Sequence, residues 1–414
     1  MRGHDVRLPV AAAVAVVAAG AATLALRPRG GLIEPAPASE QAYFSAAELN
    51  RIRDFAGPQR TLGLGGLALT GAALVLVAAR PPSGLLRRAG RRPVLGAAAT
   101  AAAISAGLVV VTLPLAAVRH ERAHDFGLSS QDWGPWAGDV AKSTAVEALL
   151  AAGGGAILVG LMRRFPRRWW LPGAGAVVAL SVVFLWLTPV VIEPLFNRFT
   201  PLPDGPLRSE VLDLARRSGV EVGEVYEVDA SRRTTGANAY VGGIGSTKRV
   251  VLYDNLIEGF TPAEVRSVVA HELAHVKHRD VPRGLLWIAI VAPAGMLLIQ
   301  RLTERLAARA GAATGSPEPA GPAVLPAAAL AIAVVSFAGG LAGNALSRRV
   351  EARADAYALR LTDDPEAFVG LERRLATSNL GDPDPPGWLV PLRTHPPAME
   401  RIGYALSYER GRRP

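Results

Sequence analysis

The sequence contains no cysteine and only 7 histidines among 414 residues. Without cysteine there can be no disulfide bond and no thiolate zinc site, so a bound metal would need histidine and carboxylate ligands. The chain also lacks a stripe of interleaved aromatic and basic residues, so its net charge of +10 does not indicate nucleic-acid binding. Most basic residues are arginines in short loops between apolar blocks, which is typical of membrane proteins.

Long apolar runs are the most prominent feature that is present. Seven of them approach the length of about 20 residues that a helix needs to cross a bilayer. Because the runs are uninterrupted rather than amphipathic, we favour membrane spans over the core helices of a large soluble protein. The first run can also be the apolar part of a signal peptide, but its length favours an uncleaved anchor. The predicted spans are 9–26, 61–79, 95–117, 144–162, 169–192, 283–300 and 322–345.

These spans divide the chain into four regions. Residues 1–192 contain spans one to five, and 283–345 contain spans six and seven. Between them lies a polar insert, 193–282, and after them a C-terminal region, 346–414. The sequence therefore predicts a mainly α fold, a seven-helix integral membrane bundle with one small soluble insert.

Mixed periodicity in the insert indicates an α+β fold. PLRSEVLDLARRSGV, 206–220, has helical periodicity. Two segments rich in valine and tyrosine, 222–231 and 248–256, predict short strands.

The insert ends in the run TPAEVRSVVAHELAHVKH. Thr261, Pro262 and Glu264 form a capping box with proline at the first helical position, which predicts a helix start. On such a helix His271 and His275 lie one turn apart on the same face. Both imidazoles can then bind one ion.

Glu272 lies beside the first of these histidines, where it can hold a water molecule and take its proton. The pattern is HExxH, the zinc protease helix motif. Solvated helices without a metal also contain this pattern. The presence of a third ligand therefore distinguishes a zinc site from such a helix. The metzincin arrangement requires histidine at position 281, which is Val281, so that arrangement is excluded. His278 lies outside the ligand register, and we interpret it as a polar residue near the site.

The candidate third ligand lies in ALSRRVEARADAYALRL, after the last predicted span. Zinc proteases with two histidine ligands can take a glutamate from a later helix as the third. Ligating histidines also commonly donate their other N–H to a carboxylate. Glu351 as ligand and Asp355 as the orienting partner meet both needs. The alternative is an ordinary helix face on which these carboxylates pair with arginine.

A further candidate is His395 in RTHPPAMERI. The two prolines after it fix the backbone and can present its ring to a cleft. There it could donate to the oxyanion of a tetrahedral intermediate. A surface loop with a titrating histidine is the alternative.

HELAHVKH, SRRVEARADAYA and THPPAMERI, in this order, resemble the integral-membrane zinc proteases called CAAX prenyl protease 1, or type I CAAX endopeptidases. Other segments are also similar to that family. The likeness covers nearly the whole chain and includes the number of spans. The additional segments are FGLSSQDWGPWAGDVAK (126–142), VIEPLFNRFTPLPDGPLRSEV (191–211) and GANAYVGGIGSTKRVVLYDNLI (236–257).

This resemblance implies a gluzincin-like membrane endopeptidase with one Zn²⁺ per chain. It implies that His271, His275 and Glu351 are the ligands and that Glu272 is the catalytic base. It also implies that the spans enclose a chamber with the metal site at its mouth.

The resemblance further points to His395 and Arg401 as catalytic-site residues and to Asn238 as substrate-binding. Two positions depart from the family pattern, Ala274 in place of the usual glycine and Val276 in place of a frequent aromatic residue. Neither is a ligand, so we expect an effect only on local packing.

The expected partners are a peptide or protein substrate and membrane lipid, with no nucleic acid. An extended substrate would pair with the strand near 249–253. Whether the substrate is prenylated is left open. The alternatives are a quality-control zinc protease for misfolded membrane proteins and a non-enzymatic membrane scaffold with a degenerate metal site.

We expect a multi-pass protein of the cell membrane. Two arguments disagree on which side of the membrane the catalytic insert lies. Arginine is more frequent in 80–93 and 163–168 than in the loops on the other side, which places the insert outside. The family resemblance implies the cytoplasmic face.

Overall fold

The computed structural model describes residues 7–243, 248–314 and 321–412, so 244–247 of the segment 236–257 lie outside the described residues. Within these ranges the chain is largely helical. The α-helices are α1 Leu8–Leu26, α2 Glu40–Tyr43, α3 Ala46–Ala79, α4 Ser83–Ala89, α5 Pro93–Asp125, α6 Trp133–Arg164, α7 Trp170–Leu187, α8 Pro206–Ser218, α9 Asp254–Gly259, α10 Pro262–Lys277, α11 Asp280–Thr314, α12 Leu325–Thr362, α13 Pro365–Ser378 and α14 Ala398–Arg412.

Seven of the described helices are long and apolar enough to cross a membrane, which confirms the predicted number. They are α1, α3, α5, α6, α11, α12 and α7 with the turns that follow it to Leu195. Several are longer than their apolar runs. The second begins at Ala46, behind a capping box in which the Ser45 and Glu48 side chains each accept from the other's backbone N–H. The seventh continues to Thr362, far beyond the predicted end of the span.

Small residues let the membrane helices pack closely. A Cβ added to Gly155 of α6 would lie 2.6 Å from the Cβ of Ala101 and 2.9 Å from the carbonyl oxygen of Ala97, both on α5. Membrane helices associate through such small-residue contacts because lipid gives no hydrophobic drive between them. Large apolar side chains such as Val17 and Leu149 instead remain exposed on the outer surfaces.

The insert is built on a four-stranded sheet in the order β1-β2-β4-β3. Strands β2 and β4 are parallel, and the other two pairs are antiparallel. One face of the sheet and helices α8 and α10 enclose a core that includes Val225, Leu252 and Val269. The strands are β1 Phe199–Pro201, β2 Glu224–Val228, β3 Ala239–Gly242 and β4 Arg249–Tyr253.

This order corrects one expectation from the sequence. Strand β4 contains the segment 249–253, but it lies between β2 and β3, so both of its edges are already paired. Strands β1 and β3 are the two edges of the sheet among the described residues, and β3 is the edge strand that packs against α10.

The predicted helix of the insert ends two residues early, at Ser218, because Gly219 adopts the left-handed conformation with φ 66°. The predicted start of α10 is confirmed. Thr261 accepts from the backbone N–H of Glu264, and the Glu264 side chain accepts from the backbone N–H of Thr261 at 2.7 Å.

Two membrane helices, α11 and α12, follow the insert, so the chain returns to the side on which it left. The last part of α12 and the helices α13 and α14 therefore lie on the same side as α10. Because α12 is continuous, its final turns extend the seventh span directly to the metal-binding candidates on α10.

Candidate metal centre

Three predicted ligands converge on one point. The Nε2 atom of His271 lies 3.1 Å from Oε2 of Glu351 and 3.2 Å from Nε2 of His275. The Nε2 atom of His275 lies 3.7 Å from the same Glu351 oxygen. Ligand atoms that surround a tetrahedral zinc ion at about 2.0–2.1 Å are roughly 3.3 Å apart, so this spacing fits such an ion.

A buried carboxylate orients the first histidine. Oδ1 of Asp355, whose side chain is fully buried, lies 2.7 Å from Nδ1 of His271. An ionised carboxylate can only accept, so Nδ1 carries the hydrogen and the lone pair of Nε2 faces the other ligands. Asp355 in turn accepts two hydrogen bonds from Arg401, at 2.9 Å from Nε and 2.6 Å from Nη2.

The same surroundings change the protonation of His271. Burial by itself lowers the pKa of His271, but the hydrogen bonds and negative charges of Asp355 and Glu351 outweigh it and raise the pKa to about 10. A proton and a metal ion therefore compete for Nε2, and metal binding has to release that proton.

The second histidine has its own carboxylate, which the sequence analysis did not identify. Nδ1 of His275 lies 3.1 Å from Oδ2 of Asp280, and the guanidinium of Arg353 pairs with Oδ1 of Asp280. The available sequence signal was an acidic residue at the end of the metal helix, five positions after the ligand.

The predicted base lies at the edge of the sheet. Glu272 is partly buried, and this burial raises the pKa of its carboxyl group. The backbone N–H of Val241, on β3, hydrogen-bonds this carboxyl group and opposes the shift. Since β3 is a terminal strand, Glu272 and an open edge of the sheet are adjacent.

His395 reaches the same carboxylate oxygen as the two histidines of α10. Its Nε2 lies 3.2 Å from Oε2 of Glu351, and its Nδ1 lies 2.9 Å from the hydroxyl of Thr394. The side chain is 57% exposed, so it borders the cleft rather than the interior.

Arg401 is not placed as expected for a group that faces a reacting carbonyl. Its guanidinium is enclosed between Asp355 and Glu372, with Nη1 2.8 Å from Oε1 of Glu372. It lies behind His271, where it donates two hydrogen bonds to Asp355.

The two remaining candidates make no hydrogen bond to the ligands among the described residues. The Asn238 side chain is exposed and accepts from the backbone N–H of Ala239 at 2.9 Å. It lies just before β3, so its backbone leads into the strand beside Glu272. His278 packs its ring edge against Tyr357, with centroids 5.7 Å apart, in agreement with its interpretation as a polar residue outside the ligand set.

A multi-pass membrane fold in which two histidines and a glutamate converge beside a further carboxylate is typical of a membrane metalloprotease. Comparison with known proteins gives the particular family. Residues 201–409 match the model of Peptidase family M48, and 83–198 match that of the CAAX prenyl protease N-terminal region, which has five membrane helices. "Uncharacterized metalloprotease YhfN" of Bacillus subtilis (strain 168) is 33% identical over 301 residues, which cover 72% of this chain and 71% of that protein. The chain belongs to Peptidase family M48.

One further relative supports the family, and one solved structure supports the fold. CAAX prenyl protease 1 of Saccharomyces cerevisiae is 34% identical over 173 residues, 40% of this chain and 37% of that protein. The crystal structure of S. mikatae Ste24p superposes with a TM-score of 0.73 over 96% of this chain and 98% of that one, at 19% identity. This match confirms the predicted fold class, a seven-helix membrane bundle enclosing a chamber with a small α+β insert.

Proposed function

We propose that the protein is a zinc endopeptidase that hydrolyses peptide bonds with His271, His275 and Glu351 as ligands of one ion. The observation that supports this most directly is the convergence of the three ligand atoms at separations of 3.1, 3.2 and 3.7 Å. Two imidazoles and one carboxylate, with no sulfur, are a ligand set typical of catalytic zinc. The raised carboxyl pKa of Glu272 beside the ligands supports its role as the base.

In this site a bound zinc ion would supply Lewis-acid chemistry, polarising the scissile carbonyl and making water more acidic. Glu272 takes the proton of the attacking water and delivers it to the leaving amine. Burial helps both steps, because a raised pKa makes Glu272 a stronger base and keeps the proton available for return. The Val241 N–H holds the carboxyl group in place from the edge of the sheet.

His395 borders the cleft and can donate from Nε2 to the oxyanion that forms as the carbonyl is attacked. Its hydrogen bond with Thr394 limits the orientation of the ring. Arg401 contributes indirectly, by holding Asp355 against His271.

An extended peptide can add to the free edge of β3 by backbone hydrogen bonds. This edge contacts the metal helix and contains Val241, whose N–H reaches Glu272, so a peptide added there lies along the base. Asn238 directly precedes the strand, so its exposed side chain can contact one end of such a peptide.

Substitution of Glu272 by glutamine tests the mechanism. The variant should keep its zinc, because no ligand changes, and should lose peptide cleavage by about 10²–10⁴-fold or more. Glu258→Gln, at an exposed position of α9, is the matched control and should cleave normally. Cleavage by Glu272→Gln at the wild-type rate would remove Glu272 from the mechanism.

Zinc content separates the enzyme from a membrane scaffold with a degenerate site. Protein purified in detergent should contain one zinc per chain, and His271→Ala should lose it. Wild-type protein without zinc affinity would favour the scaffold. Parallel digestion of unfolded casein and of a prenylated peptide then distinguishes a quality-control protease from one that resembles the CAAX prenyl protease relatives in substrate as well as in fold.

A further inference from the structure

We propose that Asp280 is a positioning residue for the second histidine ligand and that Arg353 holds it in place. This inference rests on the zinc site proposed above. Nδ1 of His275 lies 3.1 Å from Oδ2 of Asp280, and Arg353 pairs with the other oxygen of the same carboxylate. With its hydrogen shared with Asp280, His275 keeps the lone pair of Nε2 directed at Glu351 and His271.

The arrangement repeats the one behind the first ligand. There, Asp355 lies 2.7 Å from Nδ1 of His271 and accepts from Arg401. Each ligating histidine thus has one carboxylate on its outer nitrogen and one arginine behind that carboxylate. The Asp280 and Arg353 side chains are only 9% and 10% exposed, so the second unit is nearly as sheltered from water as the first.

Backbone geometry explains how Asp280 reaches His275. Helix α10 ends at Lys277, and the N–H of His278 bonds back to the carbonyl of Ala274 at 2.9 Å. Arg279 then adopts the left-handed conformation, φ 55°, which is costly for a residue other than glycine. The left-handed residue separates the two helices, and α11 begins at the next residue, Asp280, with its carboxylate within 3.1 Å of His275.

The position links the metal centre to the membrane bundle. Asp280 is the first residue of the sixth span. Arg353 lies two residues after Glu351, on the part of α12 that continues past the apolar run of the seventh span. Packing of the sixth and seventh spans therefore determines where the carboxylate of Asp280 stands. Since that carboxylate directs His275, metal affinity and packing of these two spans are coupled.

Zinc affinity measured by competition with a chromophoric chelator tests this role. Loss of an orienting carboxylate typically weakens metal binding by about 10–100-fold. Asp280→Asn keeps an acceptor but loses the charge, so we expect a loss of about tenfold, and Asp280→Ala should approach about 100-fold. Arg283→Gln is the control, because Arg283 is 47% exposed and only approaches Asp280, at 3.9 Å. It should bind zinc as the wild type does.

A second measurement separates positioning from a general effect on folding. If Asp280 orients His275, the zinc-induced rise in thermal midpoint should shrink in Asp280→Asn, beyond the fall in the zinc-free midpoint that the unpaired Arg353 itself causes. Folded Asp280→Asn that binds zinc within about threefold of the wild type would overturn the inference. If that variant does not fold, Arg353→Gln decides instead: it should weaken zinc several-fold, and unchanged affinity would again overturn the proposal. Wild-type protein that binds no zinc would instead refute the proposed function.

Discussion

Glu372 of α13 gives the sharpest test of the charge network behind the metal centre. Its side chain is 3% exposed and lies 2.8 Å from Nη1 of Arg401. Arg401 also pairs with Asp355, so two carboxylates compete for one guanidinium. Burial, only partly offset by Arg401 and reinforced by the nearby Asp355, raises the pKa of Glu372 from 4.5 to about 7. Replacement by glutamine removes this titration and keeps the size of the side chain.

The raised pKa of Glu372 determines how the stability of the folded protein changes with pH. Because the pKa of Glu372 is higher in the folded protein, the folded state binds the proton more tightly than the unfolded chain. Its contribution to the free energy of unfolding is therefore greatest below pH 4.5 and declines as pH rises to about 7. One pKa unit corresponds to about 1.36 kcal/mol, so the decline from about pH 5.5 to about pH 8 is roughly 2 kcal/mol.

Denaturant unfolding of the zinc-loaded protein in detergent micelles, at about pH 5.5 and about pH 8, provides the measurement. Between these two pH values the free energy of unfolding of the wild type should fall by roughly 2 kcal/mol more than that of Glu372→Gln. Other titrating groups are present in both proteins, so the comparison isolates Glu372 together with its interactions with Asp355 and His271. Glu366→Gln, at an exposed position of the same helix, is the control and should show the same pH dependence of unfolding as the wild type. Equal pH dependence in wild type and Glu372→Gln would show that Glu372 is ionised throughout and refute the reasoning.

Two further predictions concern packing and helix capping. Gly155→Ala should destabilise the membrane bundle by about 1–3 kcal/mol, because the added Cβ would overlap the Cβ of Ala101. Gly154→Ala is the control and should leave stability unchanged, because nothing lies within 4 Å of the added Cβ. Thermal unfolding in detergent compares the two variants. Thr261→Ala should lower the free energy of unfolding by about 1 kcal/mol through loss of the cap on the metal helix, and an unchanged value would show that Glu264 alone fixes the helix start.

Features determined by local periodicity were predictable from the sequence. Apolar runs of bilayer length gave seven spans, and the capping box gave the start of α10. The spacing of His271 and His275 placed both on one face of that helix because an α-helix has 3.6 residues per turn. Glu351 was a candidate by similar reasoning, because it lies four residues before Asp355 on a predicted helix and the pair can serve as ligand and orienting carboxylate.

Features that depend on contacts between distant segments were not predictable in this way. The order of the strands, in which β3 is a free edge and β4 is not, follows from the parallel pairing of β2 with β4 and has no local signature. The enclosure of Arg401 by Asp355 and Glu372 likewise depends on how α12, α13 and α14 pack together. A sequence shows that a buried arginine needs a carboxylate but not which one it finds.

Charge accounting around the ligands gives an independent argument for a dication. Each orienting carboxylate has its own arginine: Asp355 pairs with Arg401, and Asp280 pairs with Arg353. Among the described residues, Glu351 has no arginine or lysine within ion-pair distance and meets only imidazole nitrogens, those of His271, His275 and His395. A buried carboxylate surrounded by imidazoles needs either a proton on one ring or a metal ion between them. Both histidines of α10 direct their outer nitrogens at carboxylates and their inner nitrogens at Glu351, so a metal ion bound there would take the place of the proton that the raised pKa of His271 otherwise keeps on its ring.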